Sequence, residues 1–337
     1  MGVDGAMSNT LFDWAAQRVL VSGGAGFLGR HVLERLREVG CQSVVVPRSS
    51  ECDLRQAAVV ERVYQEIRPT VVLHLAAVVG GIGANAAHPG RFFYDNAIMG
   101  LLMMEFARRM GVAKFVGMGT ICSYPKFTPT PFREEDIWNG YPEETNAPYG
   151  LAKKMLLVQA QSYRQEYGVN AITLFPTNLY GPGDNFDLDT SHVIPALIRR
   201  CVAARDRRDS VVTVWGSGHP SREFLYVKDA AEAIVLAAER YNSPEPINIG
   251  SGKEVRISAL AEMIAGIVGF RGSLVYDASR PDGQPRRHLD VTRAERCFGF
   301  VAATPLEEGL RETVAWYLRQ RAGQGEGGTA GVSPHGG

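Results

Sequence analysis

Tyr149 and Lys153 stand four residues apart in Ala147-Pro148-Tyr149-Gly150-Leu151-Ala152-Lys153. On a helix, positions i and i+4 share a face, so the ammonium can lie beside the phenol. A free phenol titrates near ~10, and a neighbouring positive charge favours the phenolate. Pro148 suits the first helical position, where its missing N–H is no loss. Tyr149 then falls in the electropositive first turn, which acts in the same direction. The pair reads as a proton donor and acceptor usable near neutral pH. Alone, the spacing equally describes an exposed tyrosine and a solvated lysine. The glycine-rich run upstream tips the reading toward chemistry.

That run is Gly23-Gly24-Ala25-Gly26-Phe27-Leu28-Gly29. It follows the apolar Arg18-Val19-Leu20-Val21-Ser22 and opens an amphipathic stretch through Leu36. Glycines after a strand permit a tight turn and let backbone N–H groups approach a pyrophosphate at the helix N-terminus. Gly23, Gly26, Phe27, Leu28 and Gly29 are therefore expected to contact a dinucleotide. The second strand ends in Val46-Pro47-Arg48-Ser49-Ser50. An NAD site carries Asp or Glu there, whereas Arg suits a 2′-phosphate. Arg48, Ser49 and Ser50 favour NADP(H) over NAD(H); Glu51 would oppose this if the strand ran longer. Small side chains at Leu75-Ala76-Ala77 would let the cofactor lie across the strand tips.

The elements needed to position these groups alternate. Strand-like runs at 18–22, 43–46, 71–76, 114–118 and 171–175 are separated by helical stretches at 56–67, 91–109 and 149–167. This predicts an α/β chain with a Rossmann-type doubly wound parallel sheet. After Pro176, strands at 211–215, 223–227, 247–249 and 274–276 mix with helices near 192–204, 229–241, 258–268 and 305–319. The mixture reads as a smaller interleaved C-terminal substrate lobe. The expected division is an extension at 1–16, a dinucleotide-binding domain at 17–176 with segments returning from about 223–251, and a substrate lobe at 177–321. Residues 322–337, rich in Gly, Ser and Thr, read as a disordered tail.

Composition narrows the partners. Of 337 residues, 45% are hydrophobic and 21% charged, as in an ordinary globule with a sizeable core. Lys+Arg and Asp+Glu both number 36, so no net charge recruits nucleic acid or membrane. No apolar run approaches the ~20 residues of a membrane span, and no secretory signal precedes the first strand. The five cysteines (Cys41, Cys52, Cys122, Cys201, Cys297) have no metal-binding spacing, and one is unpaired under any disulfide scheme. A reducing cytoplasm is the expected compartment.

The G-x-x-G-x-x-G turn together with Tyr149 and Lys153 resembles the extended short-chain dehydrogenase/reductase (NAD-dependent epimerase/dehydratase) family. The resemblance implies that Thr120, ending a strand in Gly117-Met118-Gly119-Thr120, hydrogen-bonds a substrate carbonyl beside Tyr149. It implies that Lys153 also holds the nicotinamide ribose, and that Pro176, Asn178 and Leu179 flank the cofactor. Asp53 in Cys52-Asp53-Leu54 matches an adenine contact; a surface-turn aspartate is the other reading.

Further runs narrow the resemblance. Val79-Gly80-Gly81-Ile82, Cys122-Ser123-Tyr124-Pro125-Lys126, Pro176-Thr177-Asn178-Leu179-Tyr180-Gly181-Pro182 and Ser191-His192-Val193-Ile194-Pro195 are similar to the GDP-L-fucose synthase family. So are Val214-Trp215-Gly216-Ser217-Gly218, Ser221-Arg222-Glu223-Phe224-Leu225 and Arg280-Pro281-Asp282-Gly283-Gln284-Pro285-Arg286-Arg287. That family epimerises C3 and C5 of GDP-4-keto-6-deoxy-D-mannose, then reduces C4 with NADPH. The resemblance implies Cys122 as base and His192 as acid. A thiol near ~8.5 can be moved toward neutrality by a nearby imidazolium. Without the resemblance, Cys122 reads as a small buried hydrophobe and His192 as a helix-end residue. Asn178, Arg200, Trp215, Arg222, Arg280 and Asp282 match positions that hold the GDP-sugar, where two arginines can neutralise a diphosphate. The resemblance also implies a homodimer through 91–109 and 149–167, with Ile98, Leu101, Leu102 and Phe106 suited to that packing.

The chain departs from the family at Ala25, where a basic residue is common, and at Thr120-Ile121-Cys122, which replaces Ser-Ser-Cys. A GDP-heptose or a specialised-metabolite sugar is an alternative substrate. A redox-neutral epimerase that retains NAD(P) is an alternative reaction. A non-catalytic dinucleotide sensor would have no use for Tyr149 and Lys153 together.

Overall fold

The computed structural model describes residues 12–326 apart from Asp189 and Pro281. Its first half runs β1 (Arg18–Ser22), α1 (Phe27–Glu38), β2 (Ser43–Val45), α2 (Ala57–Ile67), β3 (Val71–His74), α3 (Ile82–Ala87), α4 (Pro89–Arg109), β4 (Lys114–Met118), α5 (Ala147–Tyr167) and β5 (Ala171–Pro176). The second half runs β6 (Asn178–Tyr180), α6 (Val193–Arg207), β7 (Val211–Trp215), β8 (Ser221–Tyr226), α7 (Val227–Arg240), β9 (Ile247–Ile249) and β10 (Glu254–Arg256). It ends with α8 (Ile257–Val268), β11 (Ser273–Asp277), β12 (Arg286–Arg287), α9 (Thr292–Phe298) and α10 (Leu306–Glu326).

Six parallel strands form the main sheet in the order β2-β1-β3-β4-β5-β9. Every residue of β3 and β4 is buried, which is why those segments read as continuous apolar runs. One face packs Val19, Val21, Val71 and Val116 against Val32 and Leu36 of α1 and Ala230 and Ile234 of α7. The other packs Leu20, Val72 and Phe115 under α2, α4 and α5, through Val60, Tyr64, Met103, Met104 and Leu156. The strand order reverses between β1 and β3, and the crevice beyond those carboxyl ends is where such sheets bind ligands.

The second lobe has its own core. Ile194, Ile198 and Val202 of α6 meet Leu260 and Ile264 of α8, with Val212 and Val214 of β7 between them. Its strands form a small sheet, β10-β8-β12 with β6 also on β8, and a parallel pair β11-β7. The chain crosses between lobes more than once: α7 packs on α1 and β9 completes the main sheet.

Boundaries differ from the sequence reading in places that matter. β3 stops at His74, so Leu75, Ala76 and Ala77 lie beyond the strand, half-buried. α5 starts at Ala147, which moves Pro148 to the second helical position, whose N–H also lacks an intrahelical acceptor. Trp14, inside the expected extension, is buried in a short 3-10 turn, and its indole N–H donates to Glu239. α10 continues to Glu326, past the expected start of a disordered tail at 322; residues 327–337 lie outside the described residues. No helix among the described residues is long and apolar enough to cross a membrane.

Candidate active site

The glycine turn has the shape its sequence requires. Gly24 N–H donates to Val21 and Gly26 N–H to Gly23, folding the chain back at the head of α1. Gly23 has φ +76°, and a side chain there would press 2.6 Å from the Ala76 nitrogen. The β1 turn and the β3 tip thus meet backbone to backbone, leaving a bare cradle at the switch point. This close approach fits a dinucleotide pyrophosphate. Arg48 and Ser49 are exposed past the end of β2, two and three residues beyond Val46, whose side chain meets Gly24, and the Arg48 carbonyl accepts from Glu51 and Cys52. Asp53 stands in a turn beside Arg55 and Gln56. Its carboxylate accepts from Arg55 and Gln56, and the Arg55 hydrogen bonds hold it down at about 2.

Beneath the cradle, the fully buried His74 shares a 2.7 Å hydrogen bond with Ser22 Oγ. Burial, and then the charge of Lys153, lower its pKa to about 3. Neither Ser22 nor His74 was expected at the site. The one hint is that both are polar residues ending apolar strands. Asn96 was also missed: its amide donates to the Val78 carbonyl and accepts from the Val78 N–H, pinning the loop after Ala77.

Thr120 caps the short 3-10 turn Ile121–Ser123, its hydroxyl accepting from the Cys122 N–H at 3.2 Å. The same hydroxyl lies near enough to the Tyr149 phenol to favour its ionised form. Gly150 lets α5 come this near, since a side chain there would run into the Cys122 carbonyl. The Tyr149 phenol is pushed up, first by burial and then by Cys122, with the Thr120 hydroxyl only partly offsetting them. This reverses the expected depression toward neutrality. Lys153 is itself buried, which lowers its ammonium to about 8, and among the described residues no hydrogen bond or ion pair engages it. Desolvation outweighs the favourable pairing in this crowded cleft.

Cys122 is half-buried, and Arg287 Nη1 donates to its sulfur at 3.5 Å. A guanidinium is therefore the cation beside the thiol, where an imidazolium was expected. His192 is the N-cap residue of α6, and crowding in the cleft lowers its pKa. Its rim position leaves surface accessible to solvent, so the lowering reflects surrounding protein atoms rather than full enclosure. Arg287 was quoted within a motif but not assigned a role; the adjacent Arg286-Arg287 was the available signal. Arg222 lies alongside, pairing with Arg287 in the β8–β12 register. Burial, then Arg287, lowers its guanidinium to about 10. Its donors reach the carbonyls of Ser221 and Asp282.

Farther along, the guanidinium carbons of Arg200 and Arg280 lie 4.6 Å and 4.9 Å from the Trp215 ring centre. The indole expected to offer a bare face already carries two cations. A cavity of about 470 Å³ opens beside it, lined by Leu188, Arg199, Arg200, Ala203, Val212 and Trp215. The Asp282 carboxylate is spent on Ser217, accepting from its N–H and hydroxyl. Asn178 donates to the Glu223 carbonyl, tying β6 to β8, while Pro176 ends β5 and Leu179 packs against the main core. The structure thus joins Thr120, Tyr149, Cys122, Arg222 and Arg287 in one group, with Arg200, Trp215 and Arg280 in another.

Residues 19–250 match the NAD dependent epimerase/dehydratase family. A protein described as probable GDP-L-fucose synthase 1 from Oryza sativa subsp. japonica is 41% identical over 302 residues, covering 89% of this chain and 92% of the rice protein. A GDP-L-fucose synthetase from Naegleria fowleri bound to NADP superposes with a TM-score of 0.84 at 30% identity, covering 91% of this chain and 95% of the other. A GDP-6-OMe-4-keto-L-xylo-heptose reductase from C. jejuni gives the same TM-score at 27% identity, covering 90% and 98%.

Proposed function

The chain belongs to the NAD dependent epimerase/dehydratase family, and we propose that it is an NADP(H)-dependent GDP-sugar epimerase-reductase of the GDP-L-fucose synthase kind. One observation carries the reading. A hydroxyl pair suited to ketone reduction, Thr120 on its turn and Tyr149 on α5, lies beside a thiol, Cys122, that shares the Thr120 turn and faces a guanidinium. A redox-neutral epimerase needs the first pair but has no use for the second.

Bound NADPH supplies the hydride for C4 of the sugar. The residues around it do the rest. Protons flanking a C4 ketone are acidic, so Cys122 as base removes one while the electron pair moves onto the ketone oxygen. His192 as acid returns a proton from the opposite face. Thr120 holds the ketone oxygen and Tyr149 protonates it as the hydride arrives. A phenol that burial keeps protonated suits that donor role. Lys153, which forms no hydrogen bond or ion pair among the described residues, would hold the cofactor ribose. Gly23, Gly26, Phe27, Leu28 and Gly29 would hold the pyrophosphate, and Arg48 and Ser49 the 2′-phosphate. Arg222 would face the diphosphate, with Arg200, Trp215 and Arg280 beside the nucleoside. A cytoplasmic homodimer completes the reading.

The test is incubation with GDP-4-keto-6-deoxy-D-mannose and NADPH in deuterated water, followed by NMR. Deuterium at C3 and C5 with one NADPH consumed per product is the expected result. Epimerised product without NADPH consumption would replace this reading with the redox-neutral epimerase.

A further inference from the structure

Arg287 is held in place more firmly than a surface arginine. It is 8% exposed, and its Nε donates to Gln284 Oε1 at 2.9 Å. Gln284 is fixed in turn by a 2.6 Å hydrogen bond to the Lys126 carbonyl, four residues beyond Cys122. The two-residue strand β12 brings Arg287 beside Arg222 in register. Neither guanidinium forms a salt bridge with a carboxylate among the described residues. A buried guanidinium, Arg287, beside a half-buried one, Arg222, without a paired anion is unfavourable unless negative charge visits the site. The Asp282 and Glu254 carboxylates act on Arg222 and a substrate diphosphate would face it, whereas the group in contact with Arg287 that can carry negative charge is the Cys122 sulfur, 3.5 Å from Nη1.

We infer that Arg287 is the positioning residue for Cys122, orienting the sulfur and serving as counter-ion to its thiolate. This rests on the reading of Cys122 as the epimerising base. When the thiolate takes a proton from the carbon flanking the ketone, an S–H bond forms and a C–H bond breaks. The electron pair passes to the ketone oxygen, giving an enolate. The sulfur becomes neutral, and the fixed charges of Arg287 and Arg222 remain in the site while the negative charge resides on the substrate. The other groups facing Cys122 are the Thr120 hydroxyl and the Tyr149 phenol, both uncharged when protonated, and the Arg222 guanidinium, whose donors go to the Ser221 and Asp282 carbonyls while Arg287 reaches the sulfur.

The experiment uses the full chain with Arg287→Met and Arg287→Lys. Iodoacetamide modification at neutral pH is followed at the Cys122 peptide by mass spectrometry, which separates it from the exposed Cys297. Because the thiolate is the nucleophile, Arg287→Met should slow modification roughly ten-fold and Arg287→Lys should restore most of the rate. Deuterium uptake at the carbons flanking the ketone should follow the same order, while NADPH affinity, read by fluorescence, stays unchanged. An unchanged modification rate in Arg287→Met overturns the inference, as does a loss that lysine does not rescue. If modification depends on Arg287 but Cys122→Ser still takes up deuterium, the ion pair stands and the assignment of the base falls.

Discussion

Ser123 Oγ donates to the Gly150 carbonyl at 2.8 Å, locking the turn that carries Thr120 and Cys122 to the first turn of the helix that carries Tyr149. The contact is tight because Gly150 has no side chain to hold the Cys122 carbonyl away. Three reacting groups from two distant stretches of chain thereby share one rigid joint.

Gly150→Ala tests the joint. The methyl group must move α5 or the 120–122 turn, and displacement of about 1 Å at reacting groups lowers turnover by ~10². Loss of kcat with NADPH affinity retained is the expected outcome. Turnover equal to that of the unmodified protein would mean that the joint is slack.

NADPH should bind more tightly than NADH, because Arg48 and Ser49 stand exposed just past the end of β2. A carboxylate there repels a 2′-phosphate and accepts from a 2′-hydroxyl. Arg48→Asp should therefore narrow or invert the preference. Fluorescence titrations giving equal affinities for the unmodified protein would refute the assignment.

Stability should depend on two buried lysines. Burial pulls Lys114 down to about 7 and Lys153 to about 8. In the unfolded chain both titrate near ~10.4. Above its folded pKa each lysine has released a proton that the unfolded chain still holds, so stability rises with pH. Below that value both states are protonated and the burial penalty is fully present. The buried Cys201 thiol, pushed up to about 11, works in the opposite direction over the same interval, so the lysine contribution is read by difference. Between about pH 8 and pH 9.5 the apo protein should gain thermal stability relative to Lys114→Met, which removes one of the two lysines. Parallel melting curves for the two proteins across this interval would contradict the assignment.

Much of this site was legible in sequence because its determinants are local. The glycine spacing, the apolar β1 and the Tyr149–Lys153 interval each lie within a few residues of chain. The protonation states were not legible, because they depend on how many elements close over a group. Tyr149 and Lys153 were expected to favour each other's charged forms, yet protein crowds the half-buried Tyr149 and the buried Lys153, and each is pushed toward neutrality. Arg287 escaped notice for a related reason. Its meeting with Cys122 spans 165 residues and depends on a strand of only two residues, too short to leave a pattern.

The dimer prediction changes in detail. Phe106, expected at a subunit contact, is buried in its own chain beside Tyr64. Phe93 and Tyr94 on α4, with Val158 and Tyr167 on α5, are the large apolar side chains these helices leave exposed. Pairing α4 and α5 with a second copy would cover them. Sedimentation should give a dimer at micromolar concentration, and Val158→Glu should weaken it. A monomer in the unmodified protein ends the proposal.

Epimerisation and reduction should separate by mutation. If Cys122 is the base, Cys122→Ser should abolish deuterium uptake beside the ketone, because an unaided serine hydroxyl is far too weakly acidic to supply a base. Hydride acceptance depends on Thr120, Tyr149 and Lys153, so this variant should still reduce the unepimerised ketone slowly. Tyr149→Phe should do the reverse: deuterium exchange persists while NADPH oxidation falls by ~10²–10⁴, the range for loss of a general acid. His192→Asn should slow reprotonation and lower product yield without loss of cofactor binding. Deuterium uptake that survives in Cys122→Ser would remove Cys122 from the mechanism. The chemistry would then rest on Tyr149 and the cofactor alone, as in a redox-neutral epimerase.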